Sequence, residues 1–343
     1  MPTGSPGPPA PPPPTRTPSR SLARTLLPWV IAVVALLWVF RSVLGLPPQP
    51  EKVDKLVAVI HAAPLGRFVL ASVILLVINC AADSLAMFYT FRWFRCHLPY
   101  REIFVVRAST YLLAVVQYYV GQAAILAFLH KRRGVPFLTA TGWILFISAI
   151  NMGVLILLAA VGLAGGDARL PWALKMLPAA VMIGVPVYAF LLYRRPQGLA
   201  RMRILEPLFE MGILGHVKAV AIRLPHVLVL IVWHYLALRW FGVEVPPLTA
   251  LVLLPAVFFA AALPISVQGL GLSQAAALYF FAGYAPPGRG DAAVLAYSLA
   301  MTTVSLIIQI AMGLVFLPAG KRLGLEAGPE TEAAVAAAAA TEA

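Results

Sequence analysis

A chain of 343 residues with 61% hydrophobic residues, 11% charged residues and a mean hydropathy of +0.87 is not a soluble enzyme. A soluble domain of this size would leave large aggregating apolar patches on its surface. The net charge is +13, from 26 Lys and Arg against 13 Asp and Glu, but the cations gather in short segments between apolar blocks. That placement is a topology pattern rather than a nucleic-acid surface.

In chain order, residues 1–24 form a Pro-rich, Arg-dotted tail, with Pro11 to Pro14 consecutive, and are expected to be extended and disordered. A single polytopic membrane domain is expected over 25–320. Its apolar blocks run over 26–45, 68–91, 103–130, 137–163, 176–193, 224–242, 248–283 and 291–318. Most are near the roughly 20 residues needed to cross about 30 Å of hydrocarbon. The LPPQP after the first block is no small-x-small cleavage site, so that block reads as a retained span. The basic segment 194–223 is expected to lie along the inner membrane surface. Lys321 and Arg322 act as a basic stop before a disordered Ala/Glu-rich tail, 321–343.

Two blocks depart from the pattern. Block 103–130 carries cations at both ends: Arg92, Arg95, Arg101 and Arg107, then Lys131, Arg132 and Arg133. Block 248–283 is too long for one span and is interrupted around Pro264 to Ser273, a stretch that no continuous helix favours. Reading both as re-entrant, broken helical hairpins, with a cytoplasmic N-terminus, puts eighteen Lys and Arg inside and eight outside. Plain spans are the alternative, and they set Lys131 to Arg133 on the wrong side. The expected fold is therefore all-α, with about six full spans plus two hairpins and both termini cytoplasmic. Span, hairpin and span then occur twice with opposite sense, an inverted repeat of the kind that builds transporter sites near the midplane. A short echo accompanies it, Gln122-Ala-Ala-Ile-Leu-Ala-Phe128 against Gln274-Ala-Ala-Ala-Leu-Tyr-Phe280, with Gln117 and Gln268 shortly before.

The candidate binding residues lie at these breaks. Irregular backbone at membrane depth must be packed in protein or line a wet cavity. Gly269 and Gly271 allow close backbone approach to a ligand. Ser273 is a candidate N-cap of the returning half-helix, whose positive end favours an anionic group. Ser266, Gln268 and Gln274 complete that set, and Gln117, Gly121 and Gln122 form its counterpart. The plainer reading of each is a packing break without ligand. Asp83 lies within a span with Asn79 one turn before it. It either relays protons or contacts a headgroup, or it is a structural carboxyl bonded to Asn79 or a neighbouring helix. The stripe Ser298, Thr302, Ser305 and Gln309 shares one helical face and reads first as interhelical glue, as do Ser148 and Asn151. His226 and His234 have no nearby carboxylate. With only Cys80 and Cys96 as thiols, no metal, disulfide framework or cofactor is expected.

Leu263-Pro-Ile-Ser-Val-Gln-Gly-Leu-Gly-Leu-Ser-Gln-Ala275 resembles the LP-x-S-x-x-G-L-G-x-x-E signature of the membrane domain of lysylphosphatidylglycerol synthases, the flippase-like family. The stretch Val120 to Val135 is similar to that family's G-E-x-x-R-x-x-L-x-x-R-x-G-V. The likeness covers about residues 25–320. It implies a multi-span fold that moves or handles lipids or lipid-linked sugars, and it points to Pro264, Ser266, Gly269, Gly271, Gln274, Gly121 and Gln122. Glutamine stands at 122 and 274 where the family pattern has glutamate. The full-length synthases' aminoacyl-transfer domain has no counterpart here, so lysine transfer is not expected.

The expected function is thus the binding or translocation of a membrane lipid in the cytoplasmic membrane. One rival is a membrane-embedded transferase on polyprenyl-linked substrates, which usually needs clustered carboxylates such as DDxxD that this chain lacks. The other is a non-catalytic subunit of an envelope-synthesis assembly, docked through the Pro-rich tail.

Overall fold

The computed structural model describes residues 33–34, 37–41, 48–116, 118–167, 169–262 and 270–325, with backbone alone at 116, 118 and 119. The expected tail 1–24, residues 326–343, most of the first apolar block, and Gln117, Pro264, Ser266, Gln268 and Gly269 lie outside the described residues. The start of the expected disordered tail 321–343 is instead ordered, with the last helix reaching Arg322 and Leu325 buried. Within them the chain is helical and without strands. The main helices are α1 (Pro50–Ala62), α2 (Leu65–Trp93), α3 (Tyr100–Val116), α4 (Tyr118–Arg133), α5 (Phe137–Gly162), α6 (Leu177–Arg194), α7 (Glu206–Trp240), α8 (Pro247–Ala262), α9 (Leu272–Phe281) and α10 (Gly290–Arg322). Five of them, α2, α5, α6, α7 and α10, are long and apolar enough to cross a membrane. This is an all-α, multi-pass membrane chain.

Side-chain contacts give the helix directions. Ser72 meets Trp233, Asn79 meets His226 and Asp83 meets Arg223, so α2 and α7 run antiparallel. Asn151 meets Arg223 and Phe146 meets His216, so α5 and α7 run the same way. Ser109 donates to the Phe316 carbonyl at 2.9 Å, and Leu112 lies against Gly313, so α3 and α10 run antiparallel. The rings of Phe94 and Trp143 stack at 5.3 Å where α2 ends and α5 begins, and the Arg-rich connectors lie at that same basic end. At the opposite end Phe68 packs edge-on against Trp240 and Phe241, at 6.4 and 5.5 Å. One contiguous apolar core links these helices.

α3 and α4 divide the odd block 103–130. Their 17 and 16 residues give lengths of about 25 Å each, short of a full crossing. A Cβ built on Gly121 would lie 3.0 Å from the Ala114 Cβ and 3.1 Å from the Thr110 carbonyl oxygen. A continuous helix would separate residues 110 and 121 by about 16 Å, so α4 folds back along α3. α3 begins at Tyr100, seven residues after α2 ends at Trp93, and α4 ends at Arg133, four residues before α5 begins at Phe137. Both open ends of this pair therefore sit at the basic end. The second pair, α8 and α9, packs side by side. Its open ends meet at one carboxylate at the opposite end: Thr249 and Tyr284 both donate to Asp167 Oδ2, at 3.1 and 2.9 Å.

A second expectation is corrected. The basic segment 194–223 does not lie wholly along a surface, because α7 begins at Glu206 and carries Arg223 into the bundle while Lys218 stays exposed. The helix bends at Gly212, whose φ of 56° leaves the helical region. Arg223 tolerates its 8% exposure because an acidic partner is buried with it.

Since Gly121 has no room for a side chain, Gly121→Leu should destabilise the detergent-solubilised protein by about 1–3 kcal/mol. Gly153→Ala, at a glycine with nothing within 4 Å of its would-be Cβ, should leave the unfolding temperature unchanged or slightly raised.

Candidate functional site

Asp83 is 3% exposed and lies ten residues before the end of α2, about 15 Å from the basic end. Two guanidinium groups converge on it: Arg107 Nε donates to Oδ2 and Arg223 Nη1 donates to Oδ1. Arg107 and Arg223 are each only 8% exposed. Arg107 also lies over the Tyr111 ring, 5.0 Å from its centroid, and Arg223 Nε donates to Asn151 Oδ1 at 2.9 Å. One carboxylate thus joins α2, α3 and α7, and Asn151 adds α5.

Each helix supplies its member by register. Asn79 and Asp83 are four residues apart and share a face of α2, which packs on α7. Asn79 donates from Nδ2 to the His226 carbonyl at 3.1 Å, and His226 Nδ1 returns a bond to the Asn79 carbonyl at 3.2 Å. A carbonyl only accepts, so Nδ1 carries the imidazole proton. Asn79 therefore serves the α2–α7 contact, and the direct partners of Asp83 are the two arginines.

Thr90 and Trp93 of α2, Ile147 and Ile150 of α5, and Ala219 and Arg223 of α7 line a crevice beside this cluster. It holds about 10 Å³, roughly one water. A larger groove of about 470 Å³ lies between α2 and α10, walled by Val69, Val73, Val77, Ile307, Ile308 and Met312 among other apolar side chains.

At the second break Gln274 is 1% exposed and both its amide oxygen and its amide nitrogen are hydrogen-bonded. Its Oε1 accepts from the Gly271 N–H at 2.7 Å and the Ser273 hydroxyl at 3.2 Å, while Nε2 donates to Thr302 Oγ1 at 3.0 Å. The N-cap of α9 is Gly271, with a φ of 81°, rather than Ser273, which stands two residues into the helix. Gln274 closes the cap from within and ties α9 to α10. Gln122, by contrast, is half-buried on α4, and its amide has no hydrogen bond among the described residues. The structure brings Gly271, Ser273 and Gln274 together in one cap and places Asp83 and Asn79 on the α2–α7 seam. His234 Nδ1 lies 2.6 Å from the Tyr297 hydroxyl, and no metal-binding group of His, Cys, Asp and Glu occurs among the described residues.

Arg107 and Arg223 are the residues that sequence reasoning missed as site members, since both read as inside topology charges. One signal was present: an Asp at depth requires a cation at the same depth.

At the opposite end Asp167 accepts from the Arg169 backbone N–H at 2.9 Å and from Arg169 Nε at 3.2 Å, besides Thr249 and Tyr284. The Arg169 guanidinium stacks 3.8 Å over the Tyr284 ring. Partial burial opposes ionisation of Asp167, but the hydrogen bonds from Arg169, Tyr284 and Thr249 outweigh it and hold the carboxyl down to about 2. Burial, then the bond to Asp167, pushes the Tyr284 hydroxyl up to about 12.

Two outcomes follow. Asp83→Ala leaves two buried guanidinium groups without their shared carboxylate and should cost about 3–5 kcal/mol of stability, read by thermal unfolding in detergent. For Asp167, the folded-state carboxyl titrates below its ordinary 3.8, so its contribution is complete above about pH 4 and is lost as the pH falls toward 2. The unfolding temperature should drop across that window, and Asp167→Asn should flatten the drop.

No family model matches the chain, and no curated protein or solved structure is found to be similar to it.

Proposed function

We propose that this protein binds an amphipathic membrane lipid and carries its headgroup between the two leaflets. The observation behind this reading is the pair of short helical hairpins that open at opposite ends of the bundle, α3–α4 at the basic end and α8–α9 at the other. A headgroup needs a polar path through hydrocarbon, and hairpins that dip from opposite faces supply polar backbone ends at mid-depth without a continuous aqueous pore. On this reading α2, the first hairpin and α5 form one half of an inverted repeat. α7, the second hairpin and α10 form the other, and residues 26–45 add a sixth span. The basic end is cytoplasmic in this arrangement, and the membrane is the cytoplasmic one.

Further support comes from the apolar groove between α2 and α10, a seat for an acyl chain beside the bundle. Gln122 keeps an uncommitted amide on the first hairpin, whereas Gln274 is held in its cap. The resemblance of Leu263 to Ala275 and of Val120 to Val135 to the flippase-like family points the same way.

Purified protein in liposomes should speed the transbilayer movement of a labelled phospholipid above the rate of protein-free vesicles. Gln122→Leu should slow that movement without lowering the unfolding temperature, because the amide has no hydrogen-bond partner to lose among the described residues. Rates equal to those of empty vesicles would remove the proposal.

A further inference from the structure

Arg223 is almost completely buried, yet it forms part of the crevice wall. Its Nη1 is given to Asp83 and its Nε to Asn151, while its Nη2 makes no hydrogen bond among the described residues. That nitrogen is also not among the buried polar atoms left without a partner, where only a Glu102 carboxylate oxygen falls. Nη2 is therefore not sealed in packed protein, and the crevice is the space that Arg223 borders. Asp83 and Asn151 hold it there from two sides, so the planar group is already oriented before any ligand arrives.

On α2 the crevice is bordered by Ala86, Thr90 and Trp93, between the level of Asp83 and the basic end. Apart from the Thr90 hydroxyl, which donates to the Ala86 carbonyl, its other walls are apolar: Ile147, Ile150, Ala219 and the indole of Trp93. An apolar slot that ends on one oriented guanidinium fits an amphipathic anion whose charged oxygens lie at one end. Arg223 shares the Asp83 carboxylate with Arg107, so an anion at Arg223 would meet a guanidinium whose counter-charge is divided between two cations. Phosphate matches the planar N–H edge of arginine better than a neutral sugar or hydroxyl does.

We propose that the Arg223 crevice is a binding site for the phosphate of an anionic lipid headgroup, reached from the basic end of the bundle, with Asp83 and Asn151 as its positioning residues. This deepens the lipid-handling reading and rests on it for the nature of the ligand. As found, the crevice is closed to about one water, so a headgroup enters only when α5 and α7 separate. The non-helical residue Gly212, on α7 before Ala219 and Arg223, is the place where that helix bends.

The test measures lipid retained by the purified full chain, using native mass spectrometry and thermal unfolding. The probes are phosphatidylglycerol, a neutral glucosyl-diacylglycerol without phosphate, and inorganic phosphate. Phosphatidylglycerol should be retained about tenfold better than the glycolipid and should raise the unfolding temperature. Arg223→Gln should abolish that preference and Arg223→Lys should restore part of it. Ile147→Trp, which fills the crevice and leaves every Arg223 bond in place, should weaken phosphatidylglycerol binding and keeps the test open if Arg223→Gln fails to fold. Equal retention of both lipids, or a preference that survives both Arg223→Gln and Ile147→Trp, would overturn the site. Inorganic phosphate stabilising as well as phosphatidylglycerol would overturn the lipid assignment in favour of a free anion. If the preference is intact but labelled lipid does not cross liposomes, the site stands and the transport reading falls. Movement of lipids without regard to phosphate does the reverse.

Discussion

Two guanidinium groups on one carboxylate, inside an otherwise apolar bundle, constrain the rest of this structure. All three charges are at least nine-tenths buried, so each is answered mainly by protein, and removing any one strands the others in surroundings that penalise them. Asp83 consequently holds α2, α3 and α7 at one level, and Asn151 extends the junction to α5. Lipid-facing apolar surfaces can slide past one another at little cost, since the acyl chains outside are as apolar as the side chains they replace. The charged junction, with Asn79–His226 and Ser72–Trp233 on the same seam, gives the α2–α7 contact a single register.

Around that junction the two short helix pairs are held by different means. The first depends on the absence of a side chain: Gly121 lets α4 lie against Ala114 and Thr110 of α3, and the pair is braced on α10 through Ser109 and Phe316. The second is tied at its open end by the Asp167 carboxylate and at its break by Gln274, which satisfies the Gly271 N–H at the start of α9 and reaches across to Thr302. A helix that begins in hydrocarbon has unsatisfied N–H groups, and water is not there to meet them. Gln274 answers that need from within the protein, so a neutral amide serves where a ligand contact was expected.

The polar equipment of the bundle thus divides by role. Gln274, Ser109, Asn79 and the Asp167 clasp are spent on holding helices together. Gln122 and the outer face of Arg223 keep hydrogen-bonding capacity, and they are the groups through which a lipid headgroup is proposed to act. The division matters for reading sites in membrane proteins generally, because a polar residue at depth is as often the completion of a helix end as a contact for substrate.

The membrane class, the limits of most long helices and the double breaks were legible from the sequence, since each depends on local composition, whereas block 224–242 is the second part of a helix that begins at Glu206. Block 137–163 became Phe137–Gly162, and blocks 103–130 and 248–283 each divided into two helices. The basic end also followed from the clustering of Lys and Arg. Which cations leave that cluster was decided only in three dimensions. Arg107 and Arg223 stand 116 residues apart and look like their neighbours in the chain, and only the packing of α3 and α7 on α2 brings them to Asp83. The Gln274 cap likewise depends on Thr302 arriving from α10. Hydropathy and charge along a chain report the medium around each segment, whereas the partner of a buried polar group is set by contacts between segments distant in sequence.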